Sequence, residues 1–305
     1  MSRPSASEYR WLLLCWLVLS ISAILSFHPV LFHEGWPTNH EALTWAYRSN
    51  VYAAAFARGE WLPLWDENGV FGLGSPMPLI YHKLYYLLAG FLQFIGLAGK
   101  TSAIVTLSSL ALVGSLGIFS IGGQLQLSYA HRLLIAATFP HLNYMTTDWM
   151  VRGALAEFSA LCLATWLIWW CFSLLNTARV SLWISLLLLL TMLAHNVIAY
   201  FALIPLTVAF LIVFKFGRNR RCTLVKQLAG AVFLFLMLGL PLVLLILQVN
   251  QFFDVNYITS IDPAEQYKPL STYLYDPNYH WGENWFSYTV QLDLPLTVGI
   301  GSLSI

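Results

Sequence analysis

Charge is what this sequence has least of. Asp, Glu, Lys and Arg make up only 10% of its 305 residues, where soluble domains carry about 25%. With 58% hydrophobic residues and a mean hydropathy of +0.67, that scarcity excludes an ordinary soluble domain and predicts an all-α polytopic membrane protein. The net charge of +1 excludes the concentrated basic surface that nucleic-acid binding needs. Cysteine is scarce too. The four present, Cys15, Cys162, Cys171 and Cys222, avoid the aromatic loops and show neither a disulfide framework nor thiolate metal-site spacing. Internal repeats are missing as well, which argues against a transporter built from paired, broken helices.

Apolar runs are plentiful. Spans are predicted at Trp11 to Phe27, Thr101 to Ile121, Leu155 to Leu175, Ser181 to Ala194, Ala199 to Phe214 and Leu228 to Val249. Orientation follows from the basic residues, which favour the cytoplasmic side. Arg3 and Arg10 precede the first run, and the densest basic segment, Lys215 to Arg221 followed by Lys226, lies after the fifth. Counting back from that segment puts the start of Thr101 to Ile121 outside, the side already reached by the end of the first run. Lys83 to Leu97 is therefore expected to lie in the interface rather than to cross. The weak link is Leu133 to Tyr144, short against the ~20 residues a span needs. The chain reads as a single transmembrane domain over 1–305, with a first external loop at 33–100 and a second at 250–290. Its last residues open a new apolar segment that stops after about a dozen residues, so the chain is expected to be truncated at its C-terminus.

The rest is organised around Gly59 to His82, GEWLPLWDENGVFGLGSPMPLIYH, which has no continuous apolar run. Its Gly and Pro residues predict a compact, turn-rich loop, and its aromatic rings suit the level of the lipid headgroups. Just before it, Glu41, Trp45, Arg48 and Tyr52 form one polar-aromatic stripe at helical spacing, able to face a substrate. Thr38 and Glu41 also have the spacing of a capping box, in which Glu41 would only satisfy a backbone N–H. With the predicted topology the unusual polar residues gather on the external side: His40, Glu41, Arg48, Asp66, Glu67, His82, Asp148, Arg152, Glu157, His195 and Asn196. Ionisable groups at that depth are costly and usually face a cavity. Arg152 and Glu157, five residues apart, do not share a helix face, which argues against a simple i,i+4 surface pair. For Asp148 and Arg152 the bland alternative is a solvated loop, and for His195 and Asn196 hairpin hydrogen bonding.

In order, Arg48, G-x-x-x-P-x-W (Gly59, Pro63, Trp65), G-x-G-x-P (Gly72, Gly74, Pro76) with Tyr81, D-x-x-x-R-G-A-L-A-E (Asp148 to Glu157) and His195-Asn196 resemble the bacterial membrane proteins called 6-pyruvoyl-tetrahydropterin synthase-related. These in turn resemble the C-class glycosyltransferases, integral enzymes that use polyprenyl-phosphate sugars. The resemblance implies a C-class-like helix bundle with interfacial helices in the first external loop, a location in the inner (cytoplasmic) membrane and a site on its external face. It also implies an acid in that loop; the family has an Asp where Asn39-His40-Glu41 stands here. Glu41 is then the expected general base, with Arg48 stabilising the departing phosphate. Asp148 and Glu157 complete the catalytic set, positioning sugar hydroxyls or holding a divalent cation. His40, Trp65, Tyr81, His82, Arg152, His195, Asn196 and Trp281 are the expected substrate-binding residues. The partners are a polyprenyl-phosphate-linked sugar and membrane lipid, and the aromatic second loop, with Asp276, His280 and Glu283, is read as a lid. The rival reading is a non-catalytic protein that binds or assembles lipid-linked glycans.

Overall fold

The computed structural model describes residues 6–37, 41, 44–217 and 220–250. His40, Thr38, Trp281, Arg218 and the second loop at 250–290 fall outside the described residues. Within them the chain is helical without strands, apart from one isolated antiparallel bridge between Asp66 and Ser75. The helices are α1 (Ala6–Leu25), α2 (His28–Phe32), α3 (Thr44–Ala57), the one-turn α4 (Gly69–Gly72) and α5 (Met77–Ile80), and α6 (Leu84–Phe94). Then come α7 (Gly99–Gln124), α8 (Tyr129–Thr138), α9 (Asn143–Thr146), α10 (Leu155–Thr177), α11 (Trp183–Ala194), α12 (Asn196–Phe216) and α13 (Arg221–Asn250).

Among these, α7, α10, α12 and α13 are long and apolar enough to cross a membrane. A helix suits hydrocarbon because it pairs every backbone N–H and C=O internally. The chain is an all-helical membrane protein. Burial separates the four helices into an inner and an outer pair. Half or more of the apolar window is buried in α7 (50%) and α10 (56%), against 28% in α12 and 11% in α13. The inner pair approaches closely because its contact is built from small residues. A Cβ on Gly117 would stand 2.0 Å from Thr165 Oγ1, and one on Gly114 3.1 Å from Cys162 Cα.

The eleven residues of α6 rise about 16 Å, half a bilayer. This helix packs on α3, where Gly90 admits Tyr52: a Cβ there would lie 2.6 Å from Tyr52 Cβ and 3.0 Å from Ser49 O. Beneath them an aromatic core of Phe27, Trp45, Tyr52, Tyr85, Tyr86, Trp149 and Phe158 joins the ends of α1 and α10. The stripe expected to face a substrate is corrected here, since Trp45 and Tyr52 point into this core and are 5% and 3% exposed. Only Glu41 and Arg48 keep the outward role.

The short segment Leu133 to Tyr144 is not one helix. Pro140 starts a tight 3-10 turn at Phe139–His141 after α8, and α9 resumes beyond it. Together they carry the chain back towards the start of α10, a path that hydropathy breaks at the proline.

Two ends of the bundle result. At one, Lys100 Nζ donates to His33 O at 2.5 Å, tying α7 to the exit of α1, and the Lys83 N–H donates to Leu193 O at 2.7 Å, tying α6 to the end of α11. At the other, Asn176 Nδ2 donates to Gln124 Oε1 at 2.7 Å and Arg220 Nη1 to Thr177 O at 3.0 Å.

Candidate functional site

Two charge clusters share the first of these ends. Arg48, on α3, sends Nη1 to Glu41 Oε2 at 2.9 Å and to the Tyr86 hydroxyl at 3.3 Å, while its guanidinium lies 3.9 Å from the centre of the Tyr81 ring. Glu41 also accepts from the Thr44 hydroxyl at 2.7 Å and from the Tyr81 hydroxyl at 3.3 Å. A planar guanidinium on a ring is held in orientation as well as in place. With Thr38 outside the described residues, the bond shown at the start of α3 runs from Thr44 to Glu41.

The second cluster centres on Arg152. It bonds Asp148 Oδ1 at 2.7 Å and Glu157 Oε2 at 3.0 Å, and the Tyr144 hydroxyl donates to Glu157 Oε1. The Arg152–Glu157 contact is not the i,i+4 surface pair that the sequence argued against. Helical spacing does not hold between them, because residues 147–152 form a widened π turn and Gly153 leaves it with φ +69°. The Ala154 N–H returns to Asp148 O at 2.8 Å, folding the chain over so that Glu157 meets Arg152.

Nor is this a solvated loop. Asp148 is 0% exposed and Glu157 9%, and Asp148 Oδ2 has no hydrogen-bond partner among the described residues. Burial pushes the Asp148 carboxyl well above its ordinary range, Glu157 adding to the rise and Arg152 opposing it. The divalent cation expected on Asp148 and Glu157 is corrected as well: a guanidinium stands between the two carboxylates. Among the described residues no group of three or more His, Cys, Asp or Glu is arranged to hold a metal ion.

His82 and His195 stand between the clusters. Their ring centres are 4.3 Å apart, and the Tyr81 ring, bonded to Glu41 at its other end, is 5.2 Å from His82. Burial drives His82 down to about 4, with His195, Arg48 and Lys83 adding to the fall and Glu157 opposing it. His195 is lowered by burial too, with Glu157 opposing and Arg152 reinforcing. Both rings therefore feel Glu157, one of them Arg48 and the other Arg152.

Two expected residues are not brought in. Asn196 is exposed and its Oδ1 accepts from the Val197 N–H at 2.9 Å. Trp65 lies on Gly74, where a Cβ would come within 2.6 Å of the indole, so it braces the loop. The chain could not be a tight turn there with a side chain at φ +86°.

Three residues of the site went unseen in the sequence. Tyr144 precedes Asp148 and Arg152 at helical i, i+4, i+8 spacing, a signal that was there to be used. Tyr47 donates to Asp66 Oδ2 at 2.6 Å, a bond that pushes the phenol up to about 12. Lys83 is 2% exposed and its ammonium caps the carbonyls of Pro78 and Leu79, with burial drawing it down to about 8. Nothing in a lone Lys between aromatics announces such a role. A cavity of about 550 Å³ opens beside Arg48, walled by Tyr47, Tyr52, Asp66, Ser75 and Met77. Above it Val70 and Phe71, both at positive φ, leave Phe71 and Leu73 projecting.

The fold and the site define a class: a helical membrane protein with buried ion-pair clusters at one end of its bundle. Compared with known protein families, with characterised proteins and with solved structures, the chain matches none.

Proposed function

We propose that the protein is a membrane glycosyltransferase that moves a sugar from a polyprenyl-phosphate donor to an acceptor hydroxyl at the external face of the membrane. The observation that carries the reading is the Glu41–Arg48 pair, whose Arg48 lines a cavity large enough for a sugar ring. In this reaction the acceptor oxygen bonds to the anomeric carbon, the bond from that carbon to phosphate breaks, and the phosphate leaves with the electron pair. Glu41 takes the acceptor proton.

Inversion puts base and leaving group on opposite faces of the sugar. Arg48, at 2.9 Å from Glu41, therefore orients the base, and stabilisation of the phosphate passes to Arg152 and the His82–His195 edge, where charge-assisted donors act best out of water. Asp148 holds Arg152 from the buried side of the cluster.

One observation favours the rival reading. Glu41 already accepts from Thr44, Arg48 and Tyr81, an arrangement that suits a structural anchor in a protein that binds a lipid-linked glycan without reacting it. Incubating the purified full chain with labelled polyprenyl-phosphate sugars separates the two. Transfer that disappears in Glu41→Gln supports the enzyme; tight retention of donor without transfer supports the binder.

A further inference from the structure

The end of the bundle opposite the candidate site carries a second arrangement. A cavity of about 570 Å³ lies between the ends of α10, α12 and α13, walled by Trp170, Thr177, Arg179, Val180, Arg220 and Gln227. Arg220 is anchored there by a bond from Nη1 to Thr177 O, 3.0 Å long, the one side-chain bond it makes among the described residues, which leaves most of the five guanidinium N–H donors for something else. Arg179 follows Ala178, whose φ of +52° ends α10 and turns the chain outward; it is exposed.

Neither arginine has an acidic partner among the described residues. All five ion pairs among the described residues belong to Arg48, Arg58 and Arg152. The sequence explains why, because no Asp or Glu occurs between Glu157 and Asp254, whereas Arg179, Lys215, Arg218, Arg220, Arg221 and Lys226 all do.

Val180 also lines a different cavity, an apolar slot of about 530 Å³ between α10, α11, α12 and α13, with Ile184, Leu188, Leu203, Leu206 and Phe210 among its walls. On α11 the slot extends from Ile184 to Met192, about 12 Å of helix. A cationic mouth and an apolar slot thus adjoin at Val180, which lines both. Trp183, 69% exposed, follows closely in the chain, as an indole at headgroup level does. A soluble anion would use the mouth alone and a neutral lipid the slot alone. A molecule with a phosphate and an acyl chain uses both.

We propose that this end of the protein binds an anionic phospholipid of the surrounding leaflet, its phosphate between Arg179 and Arg220 and one acyl chain in the slot. The inference is independent of what the opposite end does. Native mass spectrometry of the detergent-solubilised full chain tests it, with phosphatidylglycerol and phosphatidylcholine of identical chains as probes. Phosphatidylglycerol is expected to be retained at least tenfold better, and the Arg179→Gln/Arg220→Gln pair to weaken it about thirty-fold. Ile184→Trp, which fills the slot, also lowers retention, while Arg221→Gln, whose guanidinium bonds Phe214 O and Lys215 O, does not. Arg179→Gln alone keeps the test open if the double variant fails to fold. Equal retention of the two lipids, or indifference to Arg179→Gln, would overturn the proposal. So would displacement by millimolar inorganic phosphate, which would make the mouth a soluble-anion pocket.

Discussion

His82 and His195 face each other with ring centres 4.3 Å apart and planes inclined by 34°. Two imidazoles this close, partly out of water, cannot both be charged cheaply. His82 falls to about 4, chiefly by burial, against an ordinary value near 6.5. The sign follows: above pH ~6.5 the ring is neutral folded or unfolded, and below it the unfolded chain takes the proton first, so stability falls from there down to about pH 4. The thermal midpoint of the wild type is expected to drop between pH 7 and pH 5 more steeply than that of His82→Phe. Parallel slopes would show that the pair does not resist protonation.

The carboxylates of the second cluster are not equivalent. Burial raises Asp148, with Glu157 adding and Arg152 opposing, so Asp148→Asn removes a charge that its surroundings disfavour and costs under about 1 kcal/mol. Glu157→Gln takes a countercharge from Arg152 and costs about 3–5 kcal/mol. Denaturation of the two variants in the same detergent measures the asymmetry, and equal losses would contradict it.

Glu41→Gln is expected to abolish transfer while lowering stability by no more than about 1 kcal/mol, since the pair it breaks is partly solvated. Arg48→Lys leaves the charge but loses the fork and the contact with Tyr81. It is predicted to reduce turnover with little change in donor binding, as read from kcat and KM separately.

Gly90→Ala tests whether the interfacial helix positions the site. The added Cβ would meet Tyr52 at 2.6 Å, an overpacking worth about 1–3 kcal/mol. Because Arg48 lies one helical turn before Tyr52 on α3, transfer is expected to fall further than stability does. Loss of stability with turnover per folded molecule unchanged would sever that link.

Topology has a native probe. Of the four cysteines, Cys222 is exposed and the others are buried. In intact cells an impermeant thiol reagent is expected to miss Cys222 and to label Trp65→Cys, with Cys222 reacting once the membrane is opened. The reverse pattern would put the candidate site in the cytoplasm.

Most of the long helices were legible because hydropathy alone defines them: Leu155 to Leu175 became Leu155–Thr177 and Ala199 to Phe214 became Asn196–Phe216. The stretch Lys83 to Leu97, expected to lie in the interface, holds the eleven-residue α6. What escaped were departures from regular geometry. Arg152 meets Glu157 only because a π turn and a left-handed glycine intervene, and a 100° wheel has no place for either. Leu133 to Tyr144 hid a break at Pro140 between two short helices. The buried Lys83 depends on two carbonyls presented by a one-turn helix, a tertiary arrangement that leaves no periodic trace.

The unpaired cations at one end of the bundle and the carboxylates at the other make the folded chain an electric dipole along the membrane normal. A resting potential acts on such a dipole throughout assembly, at about 2.3 kcal/mol for each elementary charge carried across 100 mV. Threading Lys215, Arg220, Arg221 and Lys226 towards the positive side would forfeit that energy several times over. In the orientation proposed above, with these cations on the negative side, the same term opposes inversion of the molecule.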